Sequence, residues 1–450
     1  MPVTEADPAT DLANARAYTD IPLFQPEDSP EAGFVRDPRT YFMKPYRELG
    51  PIFRMRFRGE EVVCLGGREA NKAVWKHHDW WDYYRTNRIF REQFSDRYLN
   101  QLEGGPYRKK RRRTTMGFKP SVIMQHTGGM SRILYTEIDK LGGAPADIRP
   151  LCMRLVINMT GRVLLQEDLP AGMDEAMATS NKEMLKASSL GWKRWLWYMY
   201  PPKVLRRQKI FAYLNEVLDR REKQPPEQED ILSLILAAHP VDEPPIPRYE
   251  LVHDLSQMFM GGSTTSAMLI CWSLLQTYLD RDWLAEVRAE LDEHWNPDDF
   301  RRMSTFPKLR ATLLEAERLR PPVPIFPRFA ARTFAYNGYT VPEGIQVVHL
   351  HTLCHFMEEE YDQPLEFRPQ RFLQDENLPH REVHGTYGGG QHVCVGQNLA
   401  RIQPPVAVAD ILHRFDLEFP DGPPSLRDRY DVVLAPVENP VRVRFVPRKR

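Results

Sequence analysis

The chain has few cysteines, no excess of either charge and no apolar leader. Its five cysteines, Cys64, Cys152, Cys271, Cys354 and Cys394, are odd in number and widely spaced. That pattern excludes a disulfide framework and a Cys-x-x-Cys zinc site, and it fits a reducing cytosol. The 61 basic residues balance the 61 acidic ones, which argues against a nucleic-acid binder working through bulk positive charge. Met1 to about Pro30 carries Asp, Glu, Pro and Ala without an apolar core, so neither a signal peptide nor a membrane anchor is expected there. No internal repeat is visible. The longest uncharged run is Leu255–Leu279, 25 residues. Its length alone permits a membrane span. Its middle, Gly261-Gly262-Ser263-Thr264-Thr265-Ser266, sets four consecutive hydroxyls beside two glycines, which is poor lipid-facing chemistry. A long helix buried inside a soluble protein is expected instead.

What is present divides the chain by pattern. Ile52–Gly59 alternates apolar and basic residues and Glu61–Gly67 follows, which predicts a β-hairpin. Between 68 and 320, apolar residues recur at helical spacing in Leu205–Arg221, Arg248–Leu279 and Asp282–His294. Beyond Pro321-Pro322 the runs Arg328–Phe334, Tyr339–Val341 and Ile345–Leu350 are short and β-branched or aromatic, with turns at Gly338 and Pro342–Gly344. A final strand pair is expected at Tyr430–Ala435 and Val441–Val446. The fold class is therefore mainly α with small β-sheets, an α+β arrangement. An N-terminal extension, 1–30, precedes a single domain, 31–450. Its β-rich parts lie near 50–66, 323–350 and 430–446, and its helical body over 68–320 and 395–415.

Cys394 sits in Tyr387-Gly388-Gly389-Gly390-Gln391-His392-Val393-Cys394-Val395-Gly396, just before a helix-like segment. Glycine permits close backbone approach, and a helix start favours a thiolate. An iron ligand and a buried free cysteine in a turn both fit this loop taken alone. Two further motifs precede it. Glu315 and Arg318 are three apart near a helix end, so they share a face. Taken alone they make a solvated surface pair. Phe367-Arg368-Pro369-Gln370-Arg371-Phe372 follows about fifty residues later.

In this order, Glu-x-x-Arg, Phe-x-Pro-x-Arg-Phe and Gly-x-His-x-Cys-x-Gly, the motifs resemble those of the cytochrome P450 family of haem-thiolate monooxygenases. The resemblance covers nearly the whole chain and implies that family's fold, with a long central helix over haem. It implies Cys394 as the iron ligand in a loop bounded by Gly388 and Gly396, and a buried ion triad of Glu315, Arg318 and Arg371. His392, Arg328, and Tyr107 with Arg111 match positions that hold the haem propionates. Thr265 matches the oxygen-side threonine, flanked by Thr264 and Ser266. The resemblance further implies haem b and O2 as cofactors, with NAD(P)H acting indirectly through a ferredoxin or flavodoxin type donor. No redox module follows Arg450, so a separate electron donor is expected. Arg108–Arg113 is a basic run suited to an acidic donor.

Three departures from the family pattern matter. Thr264 stands where the family carries an acid, and a hydroxyl relays a proton but does not supply one as a carboxylic acid does. Slow or uncoupled turnover is the expected consequence. Tyr387 replaces the usual Phe. Gln403 replaces the usual Glu, and Pro404-Pro405 should break the helix there.

Expected pocket walls are Arg85–Leu102, Phe259, Met260 and Gly261, Val323–Phe326 with Val323, Ile325 and Phe326, and Leu434–Pro436. They suit a hydrophobic small-molecule substrate such as a terpenoid, steroid, fatty acid or aromatic compound. Trp192–Pro202 is aromatic-dense with basic interleaving, and it suits a half-wet surface or a packed core equally. The expectation is a cytoplasmic, soluble, monomeric enzyme that hydroxylates or epoxidises its substrate, without a transmembrane anchor and without nucleic acid as a partner. The alternatives are rearrangement, dehydration or oxidative coupling at the same haem, or a non-catalytic haem sensor.

Overall fold

The structure, a computed structural model, describes residues 12–26, 29–57, 59–187, 190–300, 303–375, 377–378, 380, 382–431, 433–436 and 440–449. Residues 1–11 of the expected N-terminal extension lie outside the described residues, as do the side chains of Leu434 and Pro436. The described parts of Met1–Thr86, Leu314–Cys394 and Arg427–Val437 form one compact unit. Those of Asn87–Leu313, Val395–Leu426 and Glu438–Arg450 form a second.

Strands follow the sequence in chain order: β1 Ile52–Phe57, β2 Glu60–Gly66, β3 Ala146–Asp147, β4 Phe326–Phe329, β5 Phe334–Tyr336, β6 Tyr339–Val341, β7 Gln346–Leu350, β8 Phe415–Glu418, β9 Asp428–Asp431, β10 Val433–Pro436 and β11 Arg442–Pro447.

In the first unit the expected hairpin forms, with Ile52 opposite Leu65 and Met55 opposite Val62. Phe53 and Met55 of β1 are buried while Arg56 faces solvent, as period-two alternation requires. Val62–Leu65 of β2, central in the sheet between β1 and β7, has no such alternation: all four side chains are buried, so both of its faces are covered. A strand covered on both faces reads as a continuous apolar run. β4 then pairs with β7 and closes the order β1-β2-β7-β4. Trp80, Trp81, Phe334 and Tyr336 pack in the core with Val63 and Leu65, and Trp80 stacks on Phe334 at 4.0 Å.

The second unit is helical. Its centre is the helix Arg248–Leu279, 32 residues long, packed against Ile148–Leu165. From Ser266 to Tyr278 every residue is buried, so this half of the helix is covered all round, as an interior helix is. Among the described residues it is the one helix long and apolar enough to cross a membrane, yet 72% of its apolar window is buried inside the protein. Asp280 ends it and caps the next helix, Arg281–His294, by accepting from the Trp283 amide at 3.0 Å. Leu205–Arg221 lies inside the helix Pro201–Lys223.

Two strand expectations need correction. Arg328–Phe334 is not one strand: β4 ends at Phe329 and β5 starts at Phe334. Tyr430–Ala435 divides into the β9–β10 hairpin, and β11 pairs instead with β8 and β3. In both cases a composition rich in strand-forming residues does not by itself mark where one strand stops and the next begins. The break at Pro404-Pro405 is present. A one-turn helix, Gln397–Ala400, stops, and a new helix, Gln403–Arg414, starts with both prolines in its first turn, where no amide partner is lost.

Candidate active site

The five cysteines are not equivalent. Cys64, Cys152, Cys271 and Cys354 are buried, and burial pushes each thiol up, to about 12 for Cys271 and Cys354. None can be a thiolate at neutral pH. Cys394 alone is exposed. Its amide donates to the Tyr387 carbonyl at 3.0 Å and closes the loop. Gly388 and Gly390 have φ of +65° and +64°, the left-handed region that favours glycine. A methyl group at Gly389 would run into the Trp75 ring, and one at Gly390 into the Trp75 carbonyl. Close approach by glycine is thus to Trp75, which no motif pointed to. Gly396 has an ordinary φ of −84° and caps only one helical turn, so the helix dipole at the cysteine is slight.

Glu315, Arg318 and Arg371 come together, buried, which corrects the surface-pair reading. Arg318 grips Glu315 with two parallel bonds, Nε to Oε2 at 2.7 Å and Nη2 to Oε1 at 2.9 Å. Its Nη1 donates to the carbonyls of His355 and Pro364. Arg371 Nε reaches Glu315 Oε1 at 3.2 Å, and the Arg368 amide reaches the same oxygen at 2.8 Å. Burial opposes the charge on Glu315, but the bonds from Arg318 and the charges of Arg318 and Arg371 outweigh it and hold the carboxyl below its ordinary value. The triad therefore pins the segment 355–372 to the helix Pro307–Leu319.

In the same unit His392 stacks on Tyr83 at 3.8 Å, and the Arg328 guanidinium lies 5.5 Å from that ring and 4.6 Å from Phe326. Arg328 Nε is buried with no hydrogen-bond partner. Burial pulls its proton affinity down, and the one group acting against this is Tyr83. Among the described residues no acid pairs with this half-buried cation, which calls for an anion. Val323, Ile325 and Phe326 are half-buried nearby in sequence.

In the second unit, Gly261 is exposed, and side-chain atoms built at Gly261 or Gly262 would meet nothing within 4 Å. Thr265 Oγ1 donates to the Gly261 carbonyl at 3.0 Å, and Thr264 is half-buried. Ser263 is buried and takes a bond from Asn181 Nδ2 at 2.7 Å. Ser266 is buried as well, and so is Phe259, which therefore does not share the open face of Gly261. Tyr107 and Arg111 lie one turn apart on the helix Gly104–Gly117, within hydrogen-bond reach of each other.

The basic run does not act as one surface. Lys110 and Arg113 are buried, paired with Glu250 and Asp254 at the start of the long helix. Lys109 pairs with Glu243, which leaves Arg108 and Arg112 exposed. Gln403 is buried, and its Nε2 donates to the Val156 carbonyl and to Thr160 Oγ1, both at 3.1 Å. A glutamate there could accept but not donate, which accounts for that departure.

The family model for cytochrome P450 matches residues 31–443. The chain belongs to the cytochrome P450 family. Among curated relatives, berbamunine synthase of Berberis stolonifera is 34% identical over 231 residues, 48% of this chain and 44% of that protein. Steroid 21-hydroxylase of Felis catus is 35% identical over 199 residues, 42% and 40% of the two chains. The alignments thus take in less than half the length of these relatives. Sterol 14alpha-demethylase of Mycobacterium tuberculosis aligns over 92% of this chain and 94% of its own, at 23% identity. The solved structure of retinoic acid-bound cyanobacterial CYP120A1 superposes with a TM-score of 0.81 over 95% of this chain and 99% of that one, at 21% identity. That likeness shows the cytochrome P450 fold.

A cytochrome P450 binds haem b and uses O2 with electrons from redox partners. The residues present fit that group. The chain offers one accessible cysteine, and Arg328 holds an orphan Nε suited to a carboxylate. Trp75, Tyr83 and Asn181 were not found from sequence. Trp75 and Tyr83 lie in an aromatic-rich stretch without a recognisable motif, and Asn181 carries none either.

Proposed function

We propose that this cytochrome P450 is a monooxygenase that hydroxylates or epoxidises a hydrophobic small molecule. The observation that carries the reading is the contrast among the cysteines: four buried and protonated, and Cys394 exposed in a loop clamped on Trp75. Haem b, when bound, would supply the oxygen activation that a thiolate ligand favours. Cys394 Sγ is the donor. Arg328 and His392 would be propionate partners in the first unit, and Tyr107 and Arg111 are proposed for the same role from the second. Thr265 Oγ1, tethered to the Gly261 carbonyl, orients oxygen-side water and passes a proton. Thr264 holds water where the family's acid would release a proton, so proton supply comes from solvent and turnover is slow or uncoupled. Val323, Ile325 and Phe326 of the first unit and Gly261 of the second are the proposed substrate contacts.

Residues 31–450 act as one catalytic domain, monomeric and cytoplasmic. A separate ferredoxin or flavodoxin delivers the electrons, and Arg108 and Arg112 supply cations for docking. The relatives include a steroid hydroxylase and a sterol demethylase, which supports oxidation of an apolar substrate over rearrangement or sensing.

The test is the ferrous carbon-monoxide spectrum of the reconstituted protein. The red-shifted thiolate band is expected in the wild type and lost in Cys394→Ser with the protein still folded. A wild-type adduct without that band would overturn the reading.

A further inference from the structure

The helix Arg68–Lys76 carries no motif, yet it touches the chain on either side of Tyr387 in the approach to Cys394. All of these residues lie in the first unit. Asn71 and Trp75 are four apart, so they share one face of that helix. Asn71 is fully buried. Its Nδ2 donates to two carbonyls, that of Glu382 at 2.7 Å and that of His351 at 3.0 Å. Two acceptors at one nitrogen fix which way the amide points, so Oδ1 must accept. Its partner is His349 Nε2 at 2.7 Å. Burial keeps the His349 ring neutral, so its one N–H lies at Nε2. The three bonds tie the helix to the end of β7 and to the chain just before the cysteine loop. Gly385 tightens this entry, since a methyl group there would run into the His351 carbonyl.

One turn on, Trp75 covers the middle of the loop. Its ring faces Gly389 and its carbonyl faces Gly390. Gly389 has an extended backbone, φ −151° and ψ −177°, which L-residues adopt without strain. Room beside the Trp75 ring, and not backbone strain, therefore calls for glycine at 389. The same ring meets His349 edge-on at 6.1 Å, which joins the two contacts into one wall. A metal ligand keeps its direction and donor strength only when its neighbours are themselves held in place.

We propose that Asn71 and Trp75 are positioning residues for Cys394: they hold the loop in the shape that presents the sulfur to iron, and so set how completely the thiolate binds. The inference rests on Cys394 as the iron ligand and gives the helix Arg68–Lys76 a role that no motif marks.

The test is a size swap in the reconstituted full-length protein. It is read by the ferrous carbon-monoxide spectrum, by the Fe–S stretching frequency and by haem transfer to apomyoglobin. Gly389→Ala sets a methyl group against the ring, and should lower the share of the thiolate band and speed haem loss about fivefold or more. Trp75→Ala/Gly389→Ala gives that methyl group room and should recover most of the band. Trp75→Ala alone should lower the Fe–S frequency, and Trp75→Phe should stay close to wild type. Asn71→Asp turns an acceptor towards the Glu382 and His351 carbonyls and should lower the band as well. Its melting temperature shows whether it folds, and the size swap decides the matter if it does not. A Gly389→Ala spectrum equal to wild type, or a double variant no better than Gly389→Ala, would overturn the proposal. So would lower melting temperatures with unchanged band and frequency in Trp75→Ala and Asn71→Asp, the outcome expected of a helix that supports the fold alone. Wild type without the thiolate band would sink the Cys394 reading and this proposal together. Wild type with the band, and no response to the variants, would sink this proposal alone.

Discussion

Arg328 gives a sharp test at the scale of one residue. Its Nε is buried without a partner, and the rings of Tyr83 and Phe326 offer its cation only weak compensation. A buried charge left unpaired destabilises, and an apolar group of similar length relieves that. Arg328→Leu should therefore leave the apoprotein melting temperature unchanged or raise it by about 2–4 °C. The same variant should lose haem to an excess of apomyoglobin about tenfold faster, because the propionate partner is gone. Equal haem-loss rates in variant and wild type would remove Arg328 from the haem site. The family resemblance pointed to Arg328 and His392 but not to Tyr83, the ring that His392 stacks on. Spacing registers a motif along the chain, whereas Tyr83 is some 300 residues from His392 and meets it only through folding.

At the scale of elements, the helix Gly104–Gly117 shows what a charge run conceals. Lys109 and Lys110 are neighbours in sequence, yet Lys109 is exposed and Lys110 buried. Lys110 Nζ lies 2.7 Å from Asp254 and 3.2 Å from Glu250, and Arg113 is 3.1 Å from Glu250. Burial pushes the Asp254 carboxyl up even beside Lys110, while Glu250 is held below its ordinary value because Lys110 and Arg113 outweigh its burial. The two acids share their cations unequally. Lys110→Glu would set a third carboxylate into this cluster, and a loss of about 3–5 kcal/mol is expected in urea unfolding. Lys109→Glu should cost about 0.5 kcal/mol or less. Equal effects from the two substitutions would mean that the cluster does not anchor the helix. The sequence placed this run only within a helical body, 68–320, and did not say which of two adjacent lysines turns inward, since the deciding acids lie about 140 residues away. Pro404-Pro405 was easier to read, because the first turn of a helix tolerates proline for a reason local to the backbone.

For the whole molecule, class and element order were legible because buried helices and hairpins write their periods into the chain. The division into two units was not, because each is assembled from three separated stretches. Both units share one burial feature with a measurable consequence. His349, His351 and His355 in the first unit and His126 and His253 in the second are held below the ordinary imidazole value, chiefly by burial, with His351 and His253 at about 4. Each must stay neutral in the fold but takes a proton freely once unfolded. Acid therefore favours the unfolded chain: stability is complete above about pH 6.5 and declines as pH falls towards 4. Melting temperature should be level from pH 8 to 7 and fall steadily below about 6.5, before the carboxylate range is reached. A level curve down to pH 5 would show that these rings are not buried as neutral groups. His253 isolates one contribution. It sits among Phe211 at 5.1 Å, Tyr249 at 6.1 Å and Phe94 at 6.2 Å, and its Nδ1 has no partner. His253→Phe keeps a ring in that aromatic setting and removes the group that must stay uncharged. The variant should melt higher than wild type, and its advantage should widen as pH falls from 6.5 to 5, because only the wild type loses stability there to protonation of His253 in the unfolded state.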